Sequence, residues 1–254
     1  MSKMEYSSAE LMIINAARLL RDGDVVFVGV GQPNLACNLA KRTHAPNLVM
    51  IYEAGVIGAE PARLPLSIGD PTLVSGSLSV VSMYDIFANY LQRGNVDVGF
   101  MGGAQIDRFG NLNSSFIGDA DNPKIRLPGT GGGNDISSLT NMIVAMKHEK
   151  RRFVPEVDFI TSPGWIKGGH SRAESGLPQG GMWRVVTDLA VMGFDQETRE
   201  MQVLTLQQGV TREKVQENTG FKLRFADRVE TAEPPKKEEL EILHELDPDR
   251  LYTA

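Results

Sequence analysis

Glu53 stands at the end of the run "NLVMIYE" and is followed at once by "AGVIGA". It is a carboxylate placed where a buried strand stops, with little side-chain bulk behind it. Two readings are open. One is a solvated loop or N-cap glutamate, the commoner fate of that residue type. The other is a nucleophile, held still by the strand and partly desolvated, with Ala54, Gly55 and Gly58 leaving room for a ligand to close on it. Three glycine-rich junctions offer complementary chemistry: "VGVGQPNLACN" (28–38), "GGAQIDRFGNLNSS" (102–115) and "LPGTGGGNDISS" (127–138). Backbone N–H groups in such loops, at the carboxyl edge of a parallel sheet, suit phosphates, carboxylates and developing oxyanions. Each junction is equally readable as a tight turn. "GVGQPN" lacks the third glycine of a dinucleotide fingerprint, and no loop ends in G-K-[ST].

Other reactive side chains do not assemble. His44, His148, His170 and His244 are far apart and show no metal-ligand spacing with Cys37, so no metal site is expected. Cys37 falls in an apolar helical pattern and reads as a small core residue. No G-x-S-x-G elbow occurs. Trp165 in "TSPGWIKGGH" reads either as a cleft wall or as packing.

The elements that must carry these residues follow from periodicity. Ser7 and Glu10 have capping-box spacing ahead of Leu11, Ile14, Ala17 and Leu20, which predicts a helix as far as Gly23. Uninterrupted apolar runs predict strands over 24–30, 47–53, 96–103, 140–146, 157–163, 183–194 and 200–206. Pro33 is placed to open a helix reaching about Arg42, and a further helix is expected over 83–94. After Pro234 and Pro235 the tail carries one short helix. The fold class is α/β: an open, mostly parallel sheet with helices on both faces and some antiparallel strands in the C-terminal third. Residues 1–254 read as a single domain, without repeats or low-complexity segments.

Composition bounds the partners. A net charge of −6 and a pI near 5.3 argue against nucleic acid and anionic membranes. The basic run "KHEKRRF" reads as a solvated face. A lone cysteine excludes an intrachain disulfide framework. The first twenty residues lack a leader design, and no apolar window is long enough for a membrane span, so a cytoplasmic protein is expected.

Taken together, "YEAGVIGAEP", "GGAQIDRFGNLNSSFIGD" and "LPGTGGGNDI" resemble the β subunit of class I coenzyme A transferases. The run "IVAMKHEKRRFVPEVDFITSPGWIKG", with "VQENTGF" further on, looks most like the β subunit of glutaconate CoA-transferase. The resemblance spans nearly the whole chain in one order. It implies an enzyme that moves CoA between an acyl-CoA and a carboxylic acid by a ping-pong route. Glu53, at the matching E-x-G position, attacks the acyl-CoA thioester to give a mixed anhydride and CoA thiolate. The thiolate returns to the glutamyl carbonyl, forming an enzyme-bound CoA thioester as the first acid departs, and a second acid then takes up the CoA. The loop "GTGGGND" resembles the family's second glycine motif, which implies oxyanion and CoA contacts at Gly129, Gly131 and Gly132. "VGVGQPNLACN" resembles the G-x-G-x-P…N segment of 3-oxoacid CoA-transferases and places a CoA contact at Asn38.

The resemblance further implies a homologous α subunit in a heterodimer or dimer of heterodimers. Coenzyme A enters as substrate, with no resident cofactor and no metal. "SPGWIKGG" points to a dicarboxylic or bulkier acid, and 168–182 reads as a mobile region able to respecify the cleft. The rivals are an acyl-CoA hydrolase or decarboxylase of the same fold, a non-catalytic partner subunit, and a sugar-phosphate-sensing binding protein.

Overall fold

Ser7 and Glu10 form the expected capping box. The Ser7 hydroxyl accepts from the Glu10 N–H at 3.1 Å, and the Glu10 carboxylate accepts from the Ser7 N–H at 2.6 Å. Helix α1 (Ser8–Ala17) follows and ends at Arg18, short of Gly23, where the guanidinium turns to Glu239 and to the carbonyls of Glu233 and Pro234. This is a computed structural model that describes residues 5–253 apart from Ala62 and Pro178. The first four residues of the stretch read for a leader, and Pro178 of the 168–182 region, lie outside the described residues. The chain divides into two units. One is formed by the chain up to Gly102 with the segment from Ala232 onward, the other by Gly103–Thr231.

In the first unit, β1 (Val25–Val28) is β-branched and buried, as its apolar run predicts. Pro33 sits in the first turn of α2 (Gln32–Arg42), whose apolar residues and Cys37 are buried. Then come β2 (Val49–Ile51), β3 (Val56–Ile57), β4 (Ser79–Val80), a single helical turn α3 (Met83–Asp85) and β5 (Val98–Met101). Strand β1 pairs in parallel with β2 and β5. Strands β2, β3 and β4 continue the sheet antiparallel, so antiparallel pairing is not confined to the C-terminal third. The helix expected over 83–94 passes from α3 into a π-helical stretch, Ile86–Leu91, with the Gln92 N–H reaching the Phe87 carbonyl at 2.9 Å.

The second unit opens with two hairpins, β6 (Gln105–Ile106) with β7 (Leu112–Asn113) and β8 (Phe116–Gly118) with β9 (Pro123–Arg126). Helix α4 (Gly133–Leu139) follows, then β10 (Asn141–Ala145), the short helix α5 (Ser171–Glu174), β11 (Gly181–Val186), β12 (Ala190–Phe194), β13 (Met201–Leu206), α6 (Arg212–Glu217) and β14 (Arg224–Thr231). Strand β10 is parallel to β11, β11 and β12 are antiparallel, β12 and β13 are antiparallel, and β14 is parallel to β13. The chain then closes on α7 (Lys237–Leu246), the helix expected after the two prolines, which packs on α1 and α2 of the first unit. This is the mixed α/β architecture the sequence predicts.

Two predicted strands differ. Residues 183–194 are a hairpin, because Thr187 turns the chain: its Oγ accepts the N–H groups of Leu189 and Ala190 at 3.2 and 2.9 Å. Residues 157–163 form no strand. Side chains and single bridges take their backbone groups, with Asp158 N–H on Gln105 Oε1 and the Thr161 and Ser162 N–H groups on the Leu112 carbonyl. Strand β14 escapes sequence reading because much of it is exposed, leaving no apolar stripe.

Candidate active site

Glu53 lies in a tight turn that closes the β2–β3 hairpin. The Gly55 N–H donates to the Tyr52 carbonyl and the Tyr52 N–H to the Val56 carbonyl, both at 2.9 Å. The Glu53 carboxylate is carried at the second position of this turn. It is half-buried and, among the described residues, has no hydrogen-bond or ion-pair partner. Gly55 is required here by two constraints. Its φ is +104°, and a Cβ would fall 2.0 Å from the Val81 carbonyl oxygen. Small residues therefore follow Glu53 partly to let the chain fold back, a purpose sequence reasoning did not assign to them.

Beneath the turn lies a polar chain in an otherwise apolar core. Tyr52 is fully buried, and burial pushes its phenol pKa up. The Asn34 Nδ2 donates to the Tyr52 hydroxyl at 2.7 Å, and the Asn38 Nδ2 donates to Asn34 Oδ1 and to the Asn34 carbonyl, both at 2.9 Å. Asn38 is thus held inward on α2, 8% exposed. It also lines a cleft of about 630 Å³ with Lys41, Arg42, Glu60 and Arg63. The cleft's cations are already paired: Lys41 with Glu60 at 3.2 Å, Arg63 with Asp70 at 2.8 Å, and Arg42 with Glu245. Cys37 is buried, and its thiol pKa is pushed up by desolvation, so it is no nucleophile.

The glycine loop belongs to the second unit. The Gly129 N–H, at φ +96°, donates to the Ser114 carbonyl at 2.8 Å, and its own carbonyl accepts from the Ser114 hydroxyl at 2.9 Å. Gly129 is thereby a structural corner. The N–H groups of Gly131 and Gly132 have no partner among the described residues and stand at the start of α4.

"GGAQIDRFGN" has a structural account that sequence alone withheld. The buried Asp107 carboxylate accepts from the Phe109 and Asn111 N–H groups and from Asn111 Nδ2, at 2.8–3.0 Å. Burial outweighs these bonds and pushes its pKa up to about 6. Asn111 in turn clamps the segment "PGWIKGG": its Oδ1 accepts from the Gly164 and Ile166 N–H groups, and its Nδ2 donates to the Ile166 carbonyl. That clamp holds Ile166 at φ +57°, a strained value for a β-branched residue. Trp165 is packing: its indole N–H donates to the Met182 carbonyl at 2.8 Å, and Arg199 lies over its ring at 4.3 Å.

Within the 168–182 region, one side chain is tied to several backbone groups. Arg172, 3% exposed, donates to the carbonyls of Pro163, Gly164, Ser137, Ser138 and Gln179 at 2.7–3.2 Å. Burial without a carboxylate partner lowers its pKa to about 10, leaving it charged at neutral pH. Among the described residues no group of three His, Cys, Asp or Glu is placed to hold a metal, and no helix is long and apolar enough to cross a membrane.

Residues 10–218 match the family described as Coenzyme A transferase. The chain is 47% identical over 243 residues to the β subunit of 3-oxoadipate CoA-transferase from Pseudomonas knackmussii, covering 95% of this chain and 94% of the relative. It is 38% identical over 252 residues to the β subunit of glutaconate CoA-transferase from Acidaminococcus fermentans, covering 97% and 95%. The crystal structure of glutaconate coenzyme A-transferase from the latter organism superposes with a TM-score of 0.93 at 35% identity, covering 98% of each chain. Agreement over nearly the full length in both sequence and fold therefore carries one conclusion: the chain belongs to the coenzyme A transferase family, as a β subunit of the class I type.

Proposed function

We propose that this β subunit transfers CoA between an acyl-CoA and a carboxylic acid through a glutamyl-CoA thioester on Glu53. The observation that carries the reading is the Glu53 carboxylate itself: carried on a two-bond turn, half-buried and, among the described residues, unpartnered. A carboxylate with no internal salt bridge is free to attack. Its oxygen adds to the thioester carbonyl, the C–S bond breaks, and CoA thiolate leaves a mixed anhydride. The thiolate then adds to the glutamyl carbonyl and expels the first carboxylate. A second carboxylate reverses the two steps, so no proton or electron is gained or lost overall. Gly131 and Gly132 N–H groups stabilise the oxyanions, worth roughly 3 kcal/mol for each well-aimed donor, with Gly129 shaping their loop. Asn38 contacts CoA from the cleft it lines.

The acid is a dicarboxylate. Two of the relatives are named for 3-oxoadipate and glutaconate, both dicarboxylic acids. CoA is substrate, and the chemistry calls for no resident cofactor. The chain acts as one functional domain in the cytoplasm, with a homologous α subunit as a heterodimer or dimer of heterodimers. Both of those relatives are single subunits of a larger transferase, which supports that partnership. So does an apolar surface on the first unit: Leu66, Val74, Leu78, Val80, Met83 and Tyr84 are all exposed. The Leu78 and Val81 N–H groups bond back to Ile57 and Gly55 of the Glu53 hairpin, and we assign this surface to the α subunit.

The test uses the complex co-expressed with its α subunit. Incubated with acyl-CoA and no acceptor acid, it should carry CoA on the peptide containing Glu53, released on adding a dicarboxylic acid and absent from Glu53→Ala. Free CoA or CO₂ produced at a rate that Glu53→Ala retains would move the protein to the hydrolase or decarboxylase branch.

A further inference from the structure

We infer that Asn34 and Tyr52 are positioning residues for Glu53. The inference rests on the nucleophile reading above. Tyr52 occupies the first position of the Glu53 turn, and both of its backbone groups are used to close the hairpin, by Val56 and Gly55. Its ring is fully buried, so the remaining degree of freedom is the tilt of the hairpin against α2. A polar contact bears on that tilt: the Asn34 Nδ2 donates to the Tyr52 hydroxyl at 2.7 Å. The hydroxyl hydrogen is directed to Met50 Sδ at 3.5 Å, on the strand that feeds the turn. On the other side, the Asn34 carboxamide oxygen is held by Asn38. The chain Asn38–Asn34–Tyr52 therefore ties the cleft-lining end of α2 to the residue beside the nucleophile.

A hydrophobic contact there would suffice for stability. A directional hydrogen bond in an apolar core is costly unless satisfied and fixes one geometry where dispersion tolerates several. Misplacing a nucleophile by an ångström costs on the order of 10²-fold in rate. Asn34 and Asn38 share one face of α2 at i, i+4 spacing, and the Asn38 Nδ2 serves the relay.

The experiment separates positioning from stability in the α-subunit complex. Tyr52→Phe keeps the ring but strands the Asn34 donor, and it should lower both the thermal midpoint and kcat. The double variant Tyr52→Phe/Asn34→Leu replaces both partners by apolar groups of similar shape, which returns most of the stability; Asn38 keeps its bond to the Asn34 carbonyl. A positioning role predicts that kcat stays depressed by about tenfold or more in the double variant, with KM for acyl-CoA within about twofold of the parent. The rate of CoA attachment to Glu53 should fall in parallel. Asn34→Leu alone, which leaves the tyrosine untouched, should show the same kcat loss. Recovery of kcat along with the thermal midpoint would overturn the inference, as would parental kcat in Tyr52→Phe. Absence of any Glu53 adduct in the unsubstituted complex would instead overturn the nucleophile reading, and this one with it.

Discussion

His148 shows how far a single side chain can be driven from its usual chemistry. It is 3% exposed and stacks on Phe153 at 4.0 Å between ring centroids. Thr187 Oγ accepts the Leu189 and Ala190 N–H groups, donates to the Ala190 carbonyl at 3.0 Å, and lies 3.1 Å from His148 Nδ1. Thr219 Oγ donates to the Val215 carbonyl and so accepts from His148 Nε2. The Thr219 contact suits the neutral Nε2–H tautomer, and desolvation lowers the pKa from 6.5 to about 3. An unfolded chain takes up this proton below pH 6.5 and the folded one does not, so stability is lost as pH falls, by ~2 kcal/mol at pH 5. Asp107 acts oppositely. Its folded pKa of about 6 exceeds the ordinary 3.8, so its contribution improves as pH falls through that window. Unfolding by urea at pH 7 and pH 5 should show a smaller loss in His148→Gln than in the parent, and a larger loss in Asp107→Asn.

At the scale of elements, two devices hold the candidate site, and each makes a prediction. Gly55→Ala places a methyl 2.0 Å from the Val81 carbonyl at a left-handed φ. The hairpin must open, at a cost of about 3 kcal/mol or more. Loss of the Glu53 adduct together with a lowered urea midpoint would register it. Arg172→Met removes the donors from five carbonyls, at a cost of about 3 kcal/mol. Limited proteolysis should then cut within 163–181, where the parent resists. The glutamate and the glycine loops were legible in the sequence because strand ends and glycines leave a strong local pattern. The turn itself was not, because "YEAGVIGA" reads as the end of one strand, and the second strand of the hairpin is only two residues long. The polar relay was hidden for a different reason. Asn34 and Asn38 look like ordinary helix-surface residues until tertiary packing turns them inward. Arg172 gave no signal at all, since its partners are backbone carbonyls with no sequence signature. The pairing of β13 with β14 depended on long-range register that periodicity does not carry.

At the scale of the whole molecule, the first unit is discontinuous in sequence. Arg18 of α1 bonds Glu239 of α7, His244 reaches Glu10 at 2.7 Å, and the Ser7 hydroxyl donates to the Thr253 carbonyl at 3.0 Å. Buried Leu240 and Leu243 complete the packing of α7 on α1 and α2. Deleting 232–254 should leave the second unit's amides protected in hydrogen exchange while those of α1 and α2 exchange freely; uniform protection of both would contradict this dependence. The second unit, residues 103–231, is contiguous, and all of its strand pairs can form as soon as it has left the ribosome. The nascent first unit, in contrast, waits with the outer faces of α1 and α2 uncovered until a helix encoded more than a hundred residues later arrives. During that interval the chain presents apolar surface to chaperones, and the Glu53 hairpin is assembled on a half-built support. Synthesis speed through the intervening residues is therefore a variable that bears on the yield of active protein, although it touches no residue of the site.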